Sequence, residues 1–157
     1  MPYSPAIVAN AVLYRAKQHG VFVNHLKLQK FVFFTHVWSL AILDVPAVEE
    51  RPEAWEHGPV FGSLFYRLKD IGHQAIDAYI ETIDAETNSY QALVPPSEDS
   101  NFWHVLEQVI EQYGRFTATE LSALGHVHGG PWEQARNSKL AFIPDDSICT
   151  FYREMLQ

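Results

Sequence analysis

Three of the eight histidines and the one cysteine stand in segments of this sequence that could do chemistry. His126 and His128, in the stretch HVHGG, are separated by a single residue, and two imidazoles at that spacing can chelate a metal ion from a strand. His57 could supply a third ligand if the fold brought it near. A metal-dependent enzyme that uses His57, His126 and His128 is therefore one hypothesis for the function.

The surroundings of these residues favour structural roles instead. On a helix the two histidines of HVHGG would point about 200° apart, and no set of residues with zinc-site spacing accompanies them. A nucleophilic Cys149 would need a histidine base, but it lies among aromatic residues, where a small buried side chain is typical. We therefore predict no catalytic residue, no metal site and no cofactor.

The composition of the chain limits the classes of partner. With 157 residues, of which 47% are hydrophobic, the sequence predicts one compact domain over residues 1–157. The net charge of -8 repels nucleic acid at long range. The segment TATELSALGHVHG also lacks the Arg, Lys, Asn and Gln side chains that a DNA-recognition helix presents. Nucleic-acid binding is disfavoured on both grounds.

The single cysteine and the N-terminal segment predict the compartment. Cys149 cannot form an internal disulfide, and an unpaired thiol is typical of a reducing environment. The segment MPYSPAIVANAVLYRAKQ lacks the basic start, apolar centre and cleavage site of a secretory signal. The most apolar segment, residues 26–43, carries too many polar residues for a membrane span. We expect a cytoplasmic protein with no membrane association.

Helical spacing and capping residues predict a mainly α-helical fold. Ser4 and Pro5 begin a helix that ends near Gly20. Asn24 begins a second one, HLKLQKFVFFTHVWSLAIL, which is apolar around nearly its whole circumference and so belongs in the middle of a bundle. Further apolar stripes and caps predict helices that begin near Pro59, Phe102, Thr117, Pro131 and Asp145.

The segment between residues 74 and 94 has a different pattern. Ile76, Ala78 and Ile80 alternate with polar residues, and the turn residues DAETNS then precede YQALV. This pattern predicts a small β-hairpin. The whole sequence thus predicts a compact bundle of about six to seven helices with a β-hairpin insertion near residues 74–94.

Two predicted loop-to-helix junctions combine a tryptophan with glycine and proline. In EAWEHGPV we expect Gly58 to make a tight entry and Pro59 to occupy the first helical turn. A buried tryptophan would anchor such a junction, whereas an exposed one would favour a protein interface. The candidate binding or junction residues are Trp55, His57, Gly58, Pro59, His126, Pro131 and Trp132.

Four segments together resemble the signature of the Panacea-domain family, which includes SocA-like antitoxins and phage-associated GepA-like proteins. In chain order they are IVANAVLYRAKQHG, HLKLQKFVFFTHVWSLAI, EAWEHGPVFGSLFYRLKDIG and LSALGHVHGGPWEQAR. The most specific parts are LKLQK and EAW-x-x-GPV. The resemblance implies that the LKLQK residues maintain a common scaffold: Leu26, Lys27, Leu28, Gln29 and Lys30.

The resemblance also implies a partner. Members of the family are largely helical and typically bind and neutralise a toxin encoded beside them, and some act as adaptors that hand the toxin to a protease. It therefore implies a cognate protein toxin and, for an adaptor, a cytoplasmic protease machine. A homo-oligomer, the metal-dependent enzyme described above and a phage-related regulatory protein stay open as alternatives.

Overall fold

The computed structural model describes residues 2–155. Within this range it contains seven α-helices and two antiparallel two-stranded sheets, which confirms the prediction of a mainly α compact fold with a small hairpin insertion. The elements in chain order are α1 (Pro5–Gln18), α2 (His25–Leu43), β1 (Glu53–Trp55), β2 (Gly58–Val60), α3 (Gly62–Leu68), β3 (Thr82–Asp84), β4 (Ser89–Gln91), α4 (Ser100–Tyr113), α5 (Ala118–Gly125), α6 (Pro131–Asn137) and α7 (Asp145–Met155).

Local side-chain chemistry sets several helix boundaries. The Ser4 hydroxyl accepts a hydrogen bond from the Ile7 N–H at 3.3 Å, and the Asn24 side chain accepts one from the Lys27 N–H at 2.9 Å. Thr117 and Glu120 form a reciprocal capping box at the start of α5. Each cap satisfies a backbone N–H that has no partner inside its helix, so these helices begin where the sequence predicts.

Helix α2 lies at the centre of the bundle and packs against α1, α3, α4, α5 and α7. Leu28, Phe31 and Phe34 are almost completely buried, as the all-round apolar pattern predicts. The buried His36 ring accepts a hydrogen bond at Nδ1 from the Val48 N–H and donates from Nε2 to Asp145 at 2.9 Å. Helix α2 is thereby attached to the connection that follows it and to the start of α7.

The segment EAWEHGPV forms a β-hairpin, so the prediction that Pro59 begins a helix is wrong. Pro59 lies in β2 opposite Ala54, and α3 begins at Gly62. The Ala54 N–H donates to the Ala141 carbonyl at 2.9 Å, on the edge of β1 away from β2. The Ala54 carbonyl accepts a hydrogen bond from Arg136 and not from the opposite strand, so proline, which has no N–H to donate, is tolerated at position 59.

The predicted hairpin in residues 74–94 is present, but its first strand begins later than the alternating pattern suggests. The strands are β3 and β4, and residues 76–80 are outside both. The buried Asn10 side chain accepts from the Ile80 N–H at 2.7 Å and donates to the carbonyls of Ile80 and Leu93, each at 2.9 Å. A side chain of α1 thus replaces a partner strand.

We expect Asn10→Ala to lower the free energy of unfolding by about 2 to 3 kcal/mol, because it leaves three backbone groups without their partner. Urea unfolding measures the loss, and faster hydrogen exchange at the Ile80 amide locates it. The exposed Asn101 of α4 offers a control, and Asn101→Ala should unfold like the wild type. Equal stability of the two variants would contradict the anchoring role of Asn10.

No helix in residues 2–155 is both long enough and apolar enough to cross a membrane. Leu156, which the sequence assigns to the apolar face of the last helix, lies outside the described residues.

Candidate functional site

A cleft of about 1020 Å³ lies between the N-terminal part of α2, the β1–β2 hairpin and α5. Most of its wall is apolar, with aromatic rings from Trp55 and Phe65 in edge-to-face contact at 4.9 Å. Its polar and charged lining residues are His25, Gln29, Lys30, Glu53, Glu56, His57, Thr119, Ser122, His126 and Arg136. A large apolar pocket with a few converging polar groups is the usual form of a binding site.

Lys30 is the most buried charged side chain that lines this cleft, with 8% of its surface exposed. Among residues 2–155 its ammonium group has neither a hydrogen bond nor an ion pair with the protein. Burial lowers the pKa of Lys30 to about 8, because the charged form loses hydration. Lys30 is therefore a buried cation that lacks a protein partner and borders an open cleft.

His126 lies beside Lys30 in a defined orientation. A Cβ atom on Gly58 would lie 2.9 Å from both Lys30 Nζ and His126 Cε1, so the two side chains meet above this glycine. His126 Nδ1–H donates to the Ser122 carbonyl at 2.6 Å, and the ring packs edge-to-face on Trp132 with centroids 4.3 Å apart. The His126 side chain thus holds a fixed position where it lines the cleft.

The two predicted junctions meet in space beside the cleft, and Trp55 and His57 of the first junction line it. Trp132 Nε1–H donates to the Trp55 carbonyl at 2.7 Å, and Arg136 donates to the Ala54 carbonyl at 3.2 Å. Pro131 is buried as the first residue of α6. The structure thus brings Trp55 and Trp132 together, although the role of either in binding a partner stays a prediction.

The LKLQK segment contains two kinds of residue. Lys27 donates to the Gly114 carbonyl at the end of α4, and Leu28 is buried in the core. Gln29 makes two hydrogen bonds with the Phe61 backbone, at 3.0 and 3.1 Å, and so attaches α2 to the start of α3. Leu26 and Lys30, one turn apart, both line the cleft. Three of the five residues, Lys27, Leu28 and Gln29, have the contacts expected of a scaffold, and three, Leu26, Gln29 and Lys30, line the cleft.

The three histidines of the metal hypothesis do not converge on one site. His57 and His126 both line the cleft, whereas the His128 side chain is 97% exposed and lies 3.1 Å from Glu133. No group of three His, Cys, Asp or Glu side chains that could hold a metal ion occurs among residues 2–155. Burial raises the pKa of the Cys149 thiol, which is the opposite of what a nucleophile needs.

Phe65 and Arg136 line the cleft but are not among the candidate residues that the sequence predicts. A partial signal for Phe65 exists, since FY in GSLFYRL places two aromatic rings next to Trp55, at 4.9 and 6.4 Å. No local pattern marks Arg136, whose contact with Ala54 spans 82 residues of chain.

Comparison with known proteins gives two matches that agree. The family model described as "Antitoxin SocA-like, Panacea domain" matches residues 28–133. Antitoxin SocA of Caulobacter vibrioides (strain NA1000 / CB15N) is 30% identical over 130 residues, which are 83% of this chain and 69% of that protein. The chain belongs to the SocA-like family of antitoxins with a Panacea domain. The Panacea match includes Lys30, Trp55 and His126, which all line the cleft.

No solved structure matches this member of the family.

Proposed function

We propose that this protein is an antitoxin that neutralises a cognate protein toxin by direct complex formation. The observation that carries the proposal is the match to SocA-like antitoxins over most of the chain. Membership of this family also supports a non-enzymatic role. The site of action that we propose is the cytoplasm.

The cleft is the surface that we propose for the toxin. It combines a concave apolar wall with the rings of Trp55 and Phe65, and Leu26 at its edge is 43% exposed. Exposed apolar surface and partly buried tryptophans are typical of protein-binding sites, because they lose water on association. The parts of the chain that most specifically resemble Panacea proteins, LKLQK and EAWEHGPV, both contribute to its wall.

The proposal predicts a stable complex and rescue of growth. Each reading frame that flanks the gene should be co-expressed with this protein, and affinity purification should recover one product as its partner. The same product should arrest growth when expressed alone and not when co-expressed. The proposal is wrong if no flanking product gives either a complex or rescue.

Masking and delivery to a protease have different consequences for the toxin. Under masking, the bound toxin should persist. Under delivery to a cytoplasmic protease machine, the half-life of the toxin should shorten when the antitoxin is present. Pulse-chase labelling of the toxin with and without the antitoxin distinguishes the two modes.

A further inference from the structure

The most buried charged group that lines the cleft has the opposite sign to the net charge of the protein. The chain carries a net charge of -8, yet the most buried charge that lines the cleft is the ammonium of Lys30. Glu53 and Glu56 also line the cleft, but neither forms an ion pair with Lys30. The cleft therefore presents a positive group that no carboxylate of residues 2–155 neutralises.

Buried cations are normally paired, because removing a charge from water is unfavourable unless an opposite charge or hydrogen bonds replace the water. The Lys30 side chain is buried, but its ammonium opens onto the cleft without a partner from residues 2–155, and burial lowers its pKa. Its neighbour Lys27 satisfies the rule, since Lys27 Nζ donates to the Gly114 carbonyl at 2.9 Å. Lys30 is therefore the lysine of this segment whose ammonium is available to bind a partner.

The surroundings of Lys30 define what that partner must carry besides a negative charge. Leu26, Trp55 and Phe65 line the same cleft with apolar surface, and His126 lines it next to Lys30. The volume, about 1020 Å³, is at the upper end of small-molecule pockets and the cleft is open to solvent. Such a site suits an extended stretch of polypeptide with an acidic residue between apolar ones.

We propose that the cleft binds a segment of the toxin that places an Asp or Glu carboxylate on the Lys30 ammonium and flanking apolar side chains on Leu26, Trp55 and Phe65. This inference rests on the proposed function and adds the chemistry of the recognised segment. A charged hydrogen bond is among the strongest single contacts available to such an interface.

The binding should also depend on pH. A bound carboxylate stabilises the charged form of Lys30, so affinity should be greatest below pH 8 and should fall as the pH rises above that value. None of the other ionisable groups that line the cleft is a lysine, cysteine or tyrosine, the side chains that ordinarily titrate above pH 8. These groups are His25, Glu53, Glu56, His57, His126 and Arg136.

Two matched peptides test the chemistry without the toxin. N-acetyl-Leu-Glu-Leu-amide and N-acetyl-Leu-Gln-Leu-amide differ only in the charge at the central residue, and each can be titrated into isotope-labelled protein by NMR at pH 7. We expect the Glu peptide to bind about tenfold more tightly, with shifts at Lys30 and His126. The preference should vanish in Lys30→Met, persist in Lys17→Met, and weaken in the wild type at pH 9.5.

Three results would overturn the inference: no binding of the Glu peptide at millimolar concentration, equal affinity for both peptides, or an unchanged preference in Lys30→Met. The affinities of the Glu and Gln peptides for the wild type can be compared even if Lys30→Met fails to fold, and equal affinities would still refute the inference. In the toxin complex, equal binding by wild type and Lys30→Met would refute this inference alone. Absence of any complex or rescue with the wild type would instead refute the proposed function.

Discussion

Lys30→Met is expected to make the free protein more stable at pH 7. Burial lowers the pKa of Lys30 from 10.5 to about 8, which corresponds to about 3 kcal/mol against the charged form in the folded state. Methionine retains most of the apolar stem and carries no charge. We therefore expect the free energy of unfolding to rise by about 1 to 3 kcal/mol, as measured by urea unfolding.

The pH dependence of stability separates this effect from a simple packing gain. Because the folded-state pKa of Lys30 is below the unfolded-state value, the unfolded chain binds more protons between pH 8 and 10.5. The contribution of Lys30 to wild-type stability is thus unfavourable below pH 8 and is relieved as the pH rises towards 10.5. The advantage of Lys30→Met should shrink over the same window.

Lys17→Met provides the control for this prediction, since Lys17 is an exposed lysine of α1. It should change neither the stability at pH 7 nor the slope with pH. A Lys30→Met variant that is less stable than the wild type at pH 7 would mean that Lys30 has a stabilising role in the free protein. A gain in stability with a loss of binding would instead mark Lys30 as a residue retained for function.

Gly58→Ala is expected to destabilise the protein by about 2 to 4 kcal/mol. Gly58 has a φ of 124°, which side chains rarely tolerate, and its added Cβ would lie 2.9 Å from Lys30 Nζ and from His126 Cε1. Both the backbone of the hairpin and the two side chains would have to shift. Thermal and urea unfolding measure the loss.

Gly129→Ala is the matched control for this substitution. Gly129 also has a positive φ, 76°, but a Cβ there meets nothing within 4 Å. We therefore expect Gly129→Ala to lower the free energy of unfolding by only about 1 kcal/mol, which is the cost of the backbone strain. If the two variants lose the same free energy of unfolding, the β1–β2 hairpin adapts to the extra methyl group without strain. Lys30 and His126 would then not be packed tightly against Gly58.

The helical part of the fold was predictable because its signals are local. Ser4 and Asn24 cap helices through hydrogen bonds to residues three positions along the chain, and the capping box of Thr117 is equally short in range. The all-round apolar pattern of α2 likewise predicts its central position from sequence alone. Such features depend on hydrophobic spacing and on backbone groups within one helical turn.

The β1–β2 hairpin could not be predicted in the same way. Gly58-Pro59 has the composition of a helix entry, and proline suits both a first helical turn and a strand position that needs no donor. The choice depends on Ala54, whose N–H bonds to Ala141 and whose carbonyl accepts from Arg136. Both partners lie more than 80 residues away, beyond the reach of a local pattern.

The candidate site shows the same limit for individual residues. Lys27 and Lys30 share one helical segment and one resemblance, and nothing in LKLQK distinguishes them. Lys27 finds its acceptor at Gly114, 87 residues away, whereas Lys30 faces the cleft with His126. Only the packing of α4 and α5 on α2 separates the structural lysine from the one that borders the cleft.

The affinity of the toxin partner for a variant with a filled cleft tests most directly whether the toxin binds in the cleft. Ala123 is an exposed residue of α5 that lines the cleft, so Ala123→Trp should block it without disturbing the core. Gln112→Trp, on the exposed face of α4, is the control. Isothermal titration should show tight binding to the wild type and to Gln112→Trp, and binding weakened about a hundredfold in Ala123→Trp. Wild-type affinity in a correctly folded Ala123→Trp would contradict the claim that this cleft is where the antitoxin holds its toxin.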